Sequence, residues 1–194
     1  MRRAAATPSD SFIRFSGPMP LRAVFVVVGL LLGASIQPAQ ADGGAPRVRT
    51  DTPSGQPVPR FLSLKHAETN CRIGPSRAHP VRYVFRRQGA PVLVIAESVD
   101  HWRKIRDAAG DECWAHKVTL RAQTHVQAQV ETAIRKRPLP GAAVNATLGP
   151  GVLARIEARK DGWLKVAAGA AEGWVPAQDV FGGDALAAMG ERRD

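Results

Sequence analysis

The chain has 194 residues, a formal net charge of +10 and two cysteines. This length leaves room for one or two small domains and excludes a large multidomain enzyme. Aromatic residues make up only 6% of the chain, while 18 glycines and 15 prolines favour short elements joined by loops over long helices. The positive charge fits either an arginine-rich composition without functional meaning or attraction to anionic polymers.

An apolar segment near the start of the chain predicts export. Residues 23–34 (AVFVVVGLLLGA) follow Arg22 and precede the small-x-small sequence AQA at 39–41, which is the arrangement of a cleavable signal peptide. A membrane anchor is the alternative, but a spanning helix needs about 20 apolar residues. We therefore expect a signal peptide at residues 1–41 and a periplasmic or secreted protein without a stable membrane anchor.

Two segments that flank the centre of the chain lack the pattern of a packed domain. Residues 42–60 contain four prolines and few large apolar residues, so they are not expected to bury enough surface to become ordered. We expect a flexible linker there. Residues 183–194 are expected to form a short helical turn or to fray.

The region between these segments contains an internal repeat. Tryptophans mark it as two pairs, separated by 12 and 11 residues: Trp102 and Trp114, then Trp163 and Trp174. Both copies contain a Trp followed by two residues and an aliphatic one, and corresponding positions are offset by 60 to 63 residues. This offset predicts two tandem copies of one small module, at residues 61–121 and 128–182.

The apolar pattern within each copy is typical of short β-strands. In the first copy Val81, Tyr83 and Phe85 occupy alternate positions, and residues 91–95 form a compact apolar run. The second copy has comparable short runs, such as residues 144–148, between turns that contain Gly and Asp. Short strands joined by such turns predict an all-β fold of two small antiparallel barrels.

The motifs of the first copy resemble those of the bacterial SH3-like (Src-homology-3) domain. They are N-x-R-x-G-P-S at residues 70–76, the segment GAPV at 89–92, W-x-x-I from Trp102 and a closing E-x-W that ends at Trp114. The second copy resembles a degenerate member, because it keeps G-W-x-x-V and E-G-W-V but has IRKRP at 134–138 in place of the opening motif. The resemblance implies two tandem SH3-like barrels.

The resemblance also implies a noncatalytic binding or targeting module of the bacterial envelope, without a cofactor. Peptidoglycan is the first ligand that it suggests, and the alternative is an adaptor that binds peptide segments of other envelope proteins. Nucleic acid is not an expected partner, since an exported protein rarely meets it. The sequence lacks C-x-x-C and H-E-x-x-H motifs, so we expect no metal site.

The two cysteines fall in the first copy, in its first strand and its closing strand. Their counterparts in the second copy are Ile134 and Gly173. Two cysteines in a small exported barrel favour a disulfide between Cys71 and Cys113, and two buried thiols are the alternative. A cysteine nucleophile with a histidine base is not supported, because no spacing singles out a partner and no orienting carboxylate is recognisable.

The candidate ligand-binding residues are aromatic side chains next to arginines in the first copy. An exposed ring stacks on a sugar or a peptide plane while a neighbouring guanidinium pairs with a carboxylate. On this basis we select six residues: Tyr83, Arg82, Arg86, Arg87, Trp102 and Arg103. Packing inside the barrel is the more common role of tryptophans at module spacing. The degenerate opening of the second copy suggests that it mainly supports the first.

Overall fold

The computed structural model describes residues 47–185. The predicted signal peptide (1–41), the first part of the predicted linker (42–46) and most of the predicted tail (186–194) lie outside the described residues. Within the described part, strands and two single 3-10 turns are the regular elements, apart from one helical position at Ala185. None of the helical segments in this part is long and apolar enough to cross a membrane.

The first module is a seven-stranded antiparallel sheet. In spatial order its strands run β3-β2-β6-β5-β4-β1-β7. Their bounds are β1 Arg60–Leu64, β2 Thr69–Arg72, β3 Val81–Phe85, β4 Pro91–Glu97, β5 Trp102–Arg106, β6 Glu112–His116 and β7 Leu120–Ala122. Strand β1 pairs with both β4 and β7, so the chain returns to its first strand at the end of the module.

The second module repeats this topology. Its spatial order is β10-β9-β13-β12-β11-β8-β14, which is the first order with each strand replaced by the one seven places later. The bounds are β8 His125–Ala128, β9 Thr132–Arg135, β10 Val144–Leu148, β11 Leu153–Lys160, β12 Trp163–Ala168, β13 Ala171–Pro176 and β14 Val180–Phe181. The prediction of two tandem all-β modules is confirmed.

Each module has its own apolar core. Because side chains alternate between the two faces of a strand, Val92 and Val94 of β4 point to the same side, where they pack with Ile105. In the second module Val126, Ile134, Leu164 and Val166 form the corresponding cluster. Fully burying one such side chain contributes about 1.5 to 3 kcal/mol. The alternating pattern that predicts the strands therefore also supplies the interior.

The two modules also pack against each other. The ring of Phe61 on β1 meets the ring of Phe181 on β14 edge-on, with the centroids 4.9 Å apart. The backbone N–H of Thr124, in the short connection between modules, donates to the hydroxyl of Ser63 at 3.1 Å. Ser63 is fully buried. Leu153 of the second module packs against the core of the first. These contacts join the modules through apolar and polar groups.

Residues 47–60, predicted to be a flexible linker, make specific contacts with one another and with the first module. Arg49 and Val58 exchange two backbone hydrogen bonds of 2.7 and 2.8 Å, which closes this segment into a loop. The side chain of Val58 joins the first core and is 4% exposed. The N–H of Ser54 donates to the carboxylate of Glu97 at 3.0 Å. The composition of the segment predicts disorder, but composition does not reveal a single anchoring valine or a single backbone pairing. Val58 and its pairing with Arg49 anchor the segment.

Candidate functional site

The structure contains a disulfide between Cys71 and Cys113, as predicted. The cysteines lie on the adjacent strands β2 and β6, with Cα atoms 5.5 Å apart and 42 residues between them in sequence. Both side chains belong to the first core. Closing a loop of this length restricts the unfolded chain and stabilises the fold by roughly 3 to 4 kcal/mol. The bond fastens the edge of the first module to its centre.

Trp102 and Arg103 are buried, so neither side chain is open to a ligand in this structure, and their predicted role in binding stays a prediction. Each residue is 6% exposed. The Trp102 ring packs edge-on against His116 at a centroid distance of 5.2 Å. The Arg103 guanidinium lies 2.9 Å from the carboxylate of Glu97, which also pairs with Arg60. Arg60 is the first residue of β1, and Ser54 in the loop before it also donates to Glu97, so this loop is tied to the carboxylate that pairs with Arg103.

Tyr83 lies half-buried on the edge strand β3. Its hydroxyl is buried without a hydrogen-bond partner among the described residues. Burial, together with the charges of Asp107 and Asp111, raises the pKa of Tyr83 to about 12. Beside it, Arg82 donates to the carbonyl of Glu112 at 3.2 Å and lies 3.9 Å from Asp111. A role for Tyr83 and Arg82 in binding stays a prediction.

The remaining two predicted arginines point to different neighbours. Arg86 is exposed and lies 3.5 Å from the carboxylate of Glu68. Arg87 donates to the carbonyl of Gly151 at 2.8 Å and so contacts the second module. Strands β2 and β6 separate the strand that carries Tyr83 from the strand that carries Trp102. The six predicted residues are therefore not assembled into one site.

The second module instead contains an open cleft of about 430 Å³. It lies where the β9–β10 loop, the β11–β12 turn and the end of β13 meet. Its lining residues are Arg135, Pro140, Asp161, Gly162, Trp163, Pro176 and Gln178. Sequence reasoning missed this cleft because it selected tryptophans with neighbouring arginines in the first copy. The signal that could have identified it is the combination of a retained Trp with glycine and proline at the surrounding positions.

Two neighbouring strands fix the aromatic wall of the cleft. Trp163 is the first residue of β12 and pairs in register with Pro176 of β13. The preceding turn has left-handed backbone at Asp161 (φ 47°) and Gly162 (φ 77°), a conformation that Gly adopts freely and Asp tolerates better than most residues. The N–H of Ala177 donates to the carbonyl of Gly162 at 2.8 Å. The turn is thus held beside the half-exposed indole.

Arg135 fixes the opposite wall. It ends β9, pairs in register with Trp174 and donates from Nη1 to the carbonyl of Ala142 at 2.9 Å. This bond holds the β9–β10 loop that supplies Pro140. Within residues 47–185, neither Arg135 nor Asp161 has an ion-pair partner, and the other guanidinium nitrogens of Arg135 remain available. The cleft combines an aromatic face, a guanidinium and an unpaired carboxylate.

The protein therefore consists of two small β-barrel modules in tandem with the same strand order, and the second module contains an open cleft with an aromatic wall. Residues 65–122 and 128–182 match the family model described as Bacterial SH3 domain. These segments cover more than half of the chain, which therefore belongs to the bacterial SH3 domain family. Domains of this family are generally binding modules and often bind the cell wall. No curated protein is detectably similar to the chain in sequence.

Two solved structures show weak similarity to the chain. One is NlpC2 from Trichomonas vaginalis, with a TM-score of 0.30 and 13% identity over 63% of this chain and 48% of that one. The other is NlpC1 from the same organism, with a TM-score of 0.30 and 15% identity over 63% of this chain and 45% of that one. The chain therefore spans about half the length of each, and similarity at this level does not bear on its function.

Proposed function

We propose that this protein is an exported, noncatalytic module that binds a component of the cell envelope, with peptidoglycan as its ligand. The observation that carries the proposal is the cleft beside Trp163, which combines a half-exposed indole with an arginine that has no acidic partner among the described residues. Membership of a family of binding modules supports it independently. The second module, and not the first, is the one proposed to bind.

The chemistry of the cleft suits a polymer of sugars and short peptides. The Trp163 ring offers a flat apolar face for a sugar ring or a peptide plane. The guanidinium of Arg135 offers paired N–H donors for a carboxylate. A volume of about 430 Å³ is in the range of small-ligand sites, so the cleft would hold a few units of the polymer. The lining contains no Ser, Cys or His, which favours binding over nucleophilic catalysis there.

The disulfide supports the exported location. Disulfides persist in oxidising compartments and are rare where thiols are kept reduced. The bond between Cys71 and Cys113 stabilises the module that carries it, and the signal peptide predicted at residues 1–41 provides the route. Periplasmic or secreted, the protein would meet the cell wall directly.

Co-sedimentation with purified peptidoglycan sacculi tests this proposal. The full chain is mixed with sacculi at low and at high salt, alongside Trp163→Ala and Trp163→Phe. We expect pelleting that survives high salt, that is lost in Trp163→Ala and that is largely retained in Trp163→Phe, because the latter keeps an aromatic face. Pelleting that disappears with salt for every variant would instead indicate attraction of a basic protein to a polyanion.

The adaptor alternative is favoured by one observation. Strands β3 and β10 lie at the ends of their sheets and carry the exposed residues Val84 and Val144. An unpaired strand edge can accept an extended peptide as a further strand. If the protein is an adaptor, sacculi would not sediment it at either salt concentration. That result would overturn the peptidoglycan proposal and leave the edge strands as the surface to test with peptides.

A further inference from the structure

The end of the first module that corresponds to the cleft has a different chemistry. The cleft positions Pro140, Gly162 and Pro176 correspond, by the repeat offsets, to Arg77, His101 and His116. The register supports the correspondence, because Trp102 pairs with His116 as Trp163 pairs with Pro176. Three neutral cleft residues are therefore replaced by basic ones around the buried Trp102.

These basic residues lie close together. The backbone N–H of Lys117 donates to the carbonyl of His101 at 3.0 Å, and this bond joins the turn between β4 and β5 to the residue that follows β6. Burial, and then the charges of Arg77, His101, Lys117 and Arg103, lower the pKa of His116. Every charged group that acts on His116 in this way is basic. We call these four residues the cationic cluster: Arg77, His101, His116 and Lys117.

Several side chains of the cationic cluster have no hydrogen-bond or ion-pair partner among residues 47–185. Arg77, His101 and Lys117 are exposed, and their side chains make no hydrogen bond or ion pair with other residues in the range 47–185. The Nδ1 atom of His116 is buried without a partner in the same range. The neighbouring carboxylate in sequence, Asp100, is exposed and pairs with none of them. Arg103, by contrast, is already paired with Glu97 and is not counted in the cluster.

His101 has a backbone conformation that is energetically unfavourable for a residue with a side chain. Its φ is 66°, in the left-handed region, where the second module has Gly162 at 77°. Residues with a Cβ atom disfavour this region, and Gly does not. Non-glycine residues held in such conformations concentrate at functional sites. A histidine at a position suited to glycine therefore points to a use for the imidazole.

We propose that the cationic cluster of the first module binds a phosphate group. Its donors come from three separate chain segments: the β2–β3 loop, the β4–β5 turn and the two residues at and just after the end of β6. A tetrahedral anion accepts donors from several directions, whereas a carboxylate presents its oxygens in one plane. The phosphate comes either as free orthophosphate or within a phosphate polymer. This site is separate from the cleft and does not depend on the proposed binding of peptidoglycan.

Calorimetric titration of the full chain at low salt tests this inference, with inorganic phosphate in one arm and sodium polyphosphate in the other. The test variant is Arg77→Ala with Lys117→Ala, and the matched control is Lys136→Ala with Arg137→Ala, which removes two exposed charges from the second module. We expect binding about tenfold weaker in the test variant, since it loses charged hydrogen bonds, and unchanged in the control. Binding of orthophosphate would indicate the free anion, and binding of polyphosphate alone would indicate a polymer.

A second variant separates binding from stability. His101→Gly removes the imidazole and relieves the left-handed backbone, so we expect weaker phosphate binding together with a higher Tm. A residue with a purely structural role would not change these two quantities in opposite senses. The inference is overturned if neither phosphate source binds, if test and control variants lose affinity equally, or if His101→Gly leaves the affinity unchanged.

Discussion

The two modules share one strand order and are stabilised by different means. In the first, a disulfide joins Cys71 to Cys113. In the second, Ile134 and Gly173 take these positions, and a Cβ atom at Gly173 would lie only 2.7 Å from Cγ2 of Ile134. A large aliphatic side chain packed over a glycine thus fills the space that the two half-cystines fill in the first module. The same barrel is closed once by a covalent bond and once by packing.

The modules also differ in how they use their first paired tryptophan. Trp102 is buried against His116, and the neighbouring Arg103 is held by Glu97 under the N-terminal loop. Trp163 lies beside Pro176 and is partly exposed. The neighbouring side chains therefore distinguish a buried tryptophan from a partly exposed one, and the partly exposed one is the tryptophan that we propose contacts a ligand.

Removing the disulfide should give the largest change in stability. Replacing Cys71 and Cys113 by alanine removes the restraint on a loop of 42 residues, so we expect the free energy of unfolding to fall by roughly 3 to 4 kcal/mol. Chemical denaturation with and without a reductant measures it. Reduction of the native protein should reproduce the loss, and it should have no effect on the double variant. Equal stability of the oxidised and reduced proteins would contradict the comparison.

Breaking the buried ion pairs of Glu97 should have the next largest effect. Burial alone would raise the pKa of Glu97, but hydrogen bonds from Ser54 and Arg60 and the charges of Arg60 and Arg103 lower it below 4.5. Glu97→Gln leaves the buried Arg103 and the partly buried Arg60 without their counter-charge, which costs about 3 kcal/mol.

The lowered pKa of Glu97 sets the direction of the pH dependence. A carboxyl group with a depressed pKa contributes stability that is present above its unfolded pKa and is lost as pH falls through the folded value. The native protein should therefore lose part of its advantage over Glu97→Gln as pH decreases below 4.5. Denaturation at several pH values measures this. A constant difference across the range would show that the charge of Glu97 does not stabilise the module.

Matched arginine variants test whether the second module alone binds sacculi. Arg135→Lys keeps the charge but loses the fork of N–H donors, so we expect sacculi to bind about fivefold more weakly. Arg72→Lys is the control, because Arg72 donates to the carbonyl of His79 in the first module as Arg135 donates to that of Ala142. Sedimentation isotherms compare the two. Equal weakening by both substitutions would contradict a site confined to the second module.

Tyr83→Phe should have the smallest effect. The Tyr83 hydroxyl is buried without a partner among the described residues, so its removal relieves a desolvation cost and should change stability by no more than about 1 kcal/mol, in the stabilising direction. Thermal denaturation measures it. Binding to sacculi should not change. Weaker binding would return Tyr83 to the candidate site.

The fold could be predicted from the sequence to a greater extent than the site. The repeat, the short strands and the disulfide follow from alternating apolar residues and from two cysteines in one small exported module. The exposure of a tryptophan depends instead on side chains from other parts of the sequence that pack against its ring. The Trp102 ring packs against His116 and Arg103 pairs with Glu97, while Trp163 lies beside Pro176 in the lining of the cleft. The two tryptophans share the pattern of a Trp followed by two residues and an aliphatic one, and they differ in the preceding residue, His101 against Gly162, and in the paired residue, His116 against Pro176.

Binding at Trp163 is tested most directly by observing the indole N–H signals of the four tryptophans by NMR while soluble peptidoglycan fragments are added. Each signal is assigned with a single Trp→Phe variant. If the cleft binds peptidoglycan, the Trp163 signal shifts in a saturable manner while the buried Trp102 signal stays in place. Movement of the Trp102 signal with a stationary Trp163 signal, or no movement at high ligand concentration, would contradict binding at the cleft.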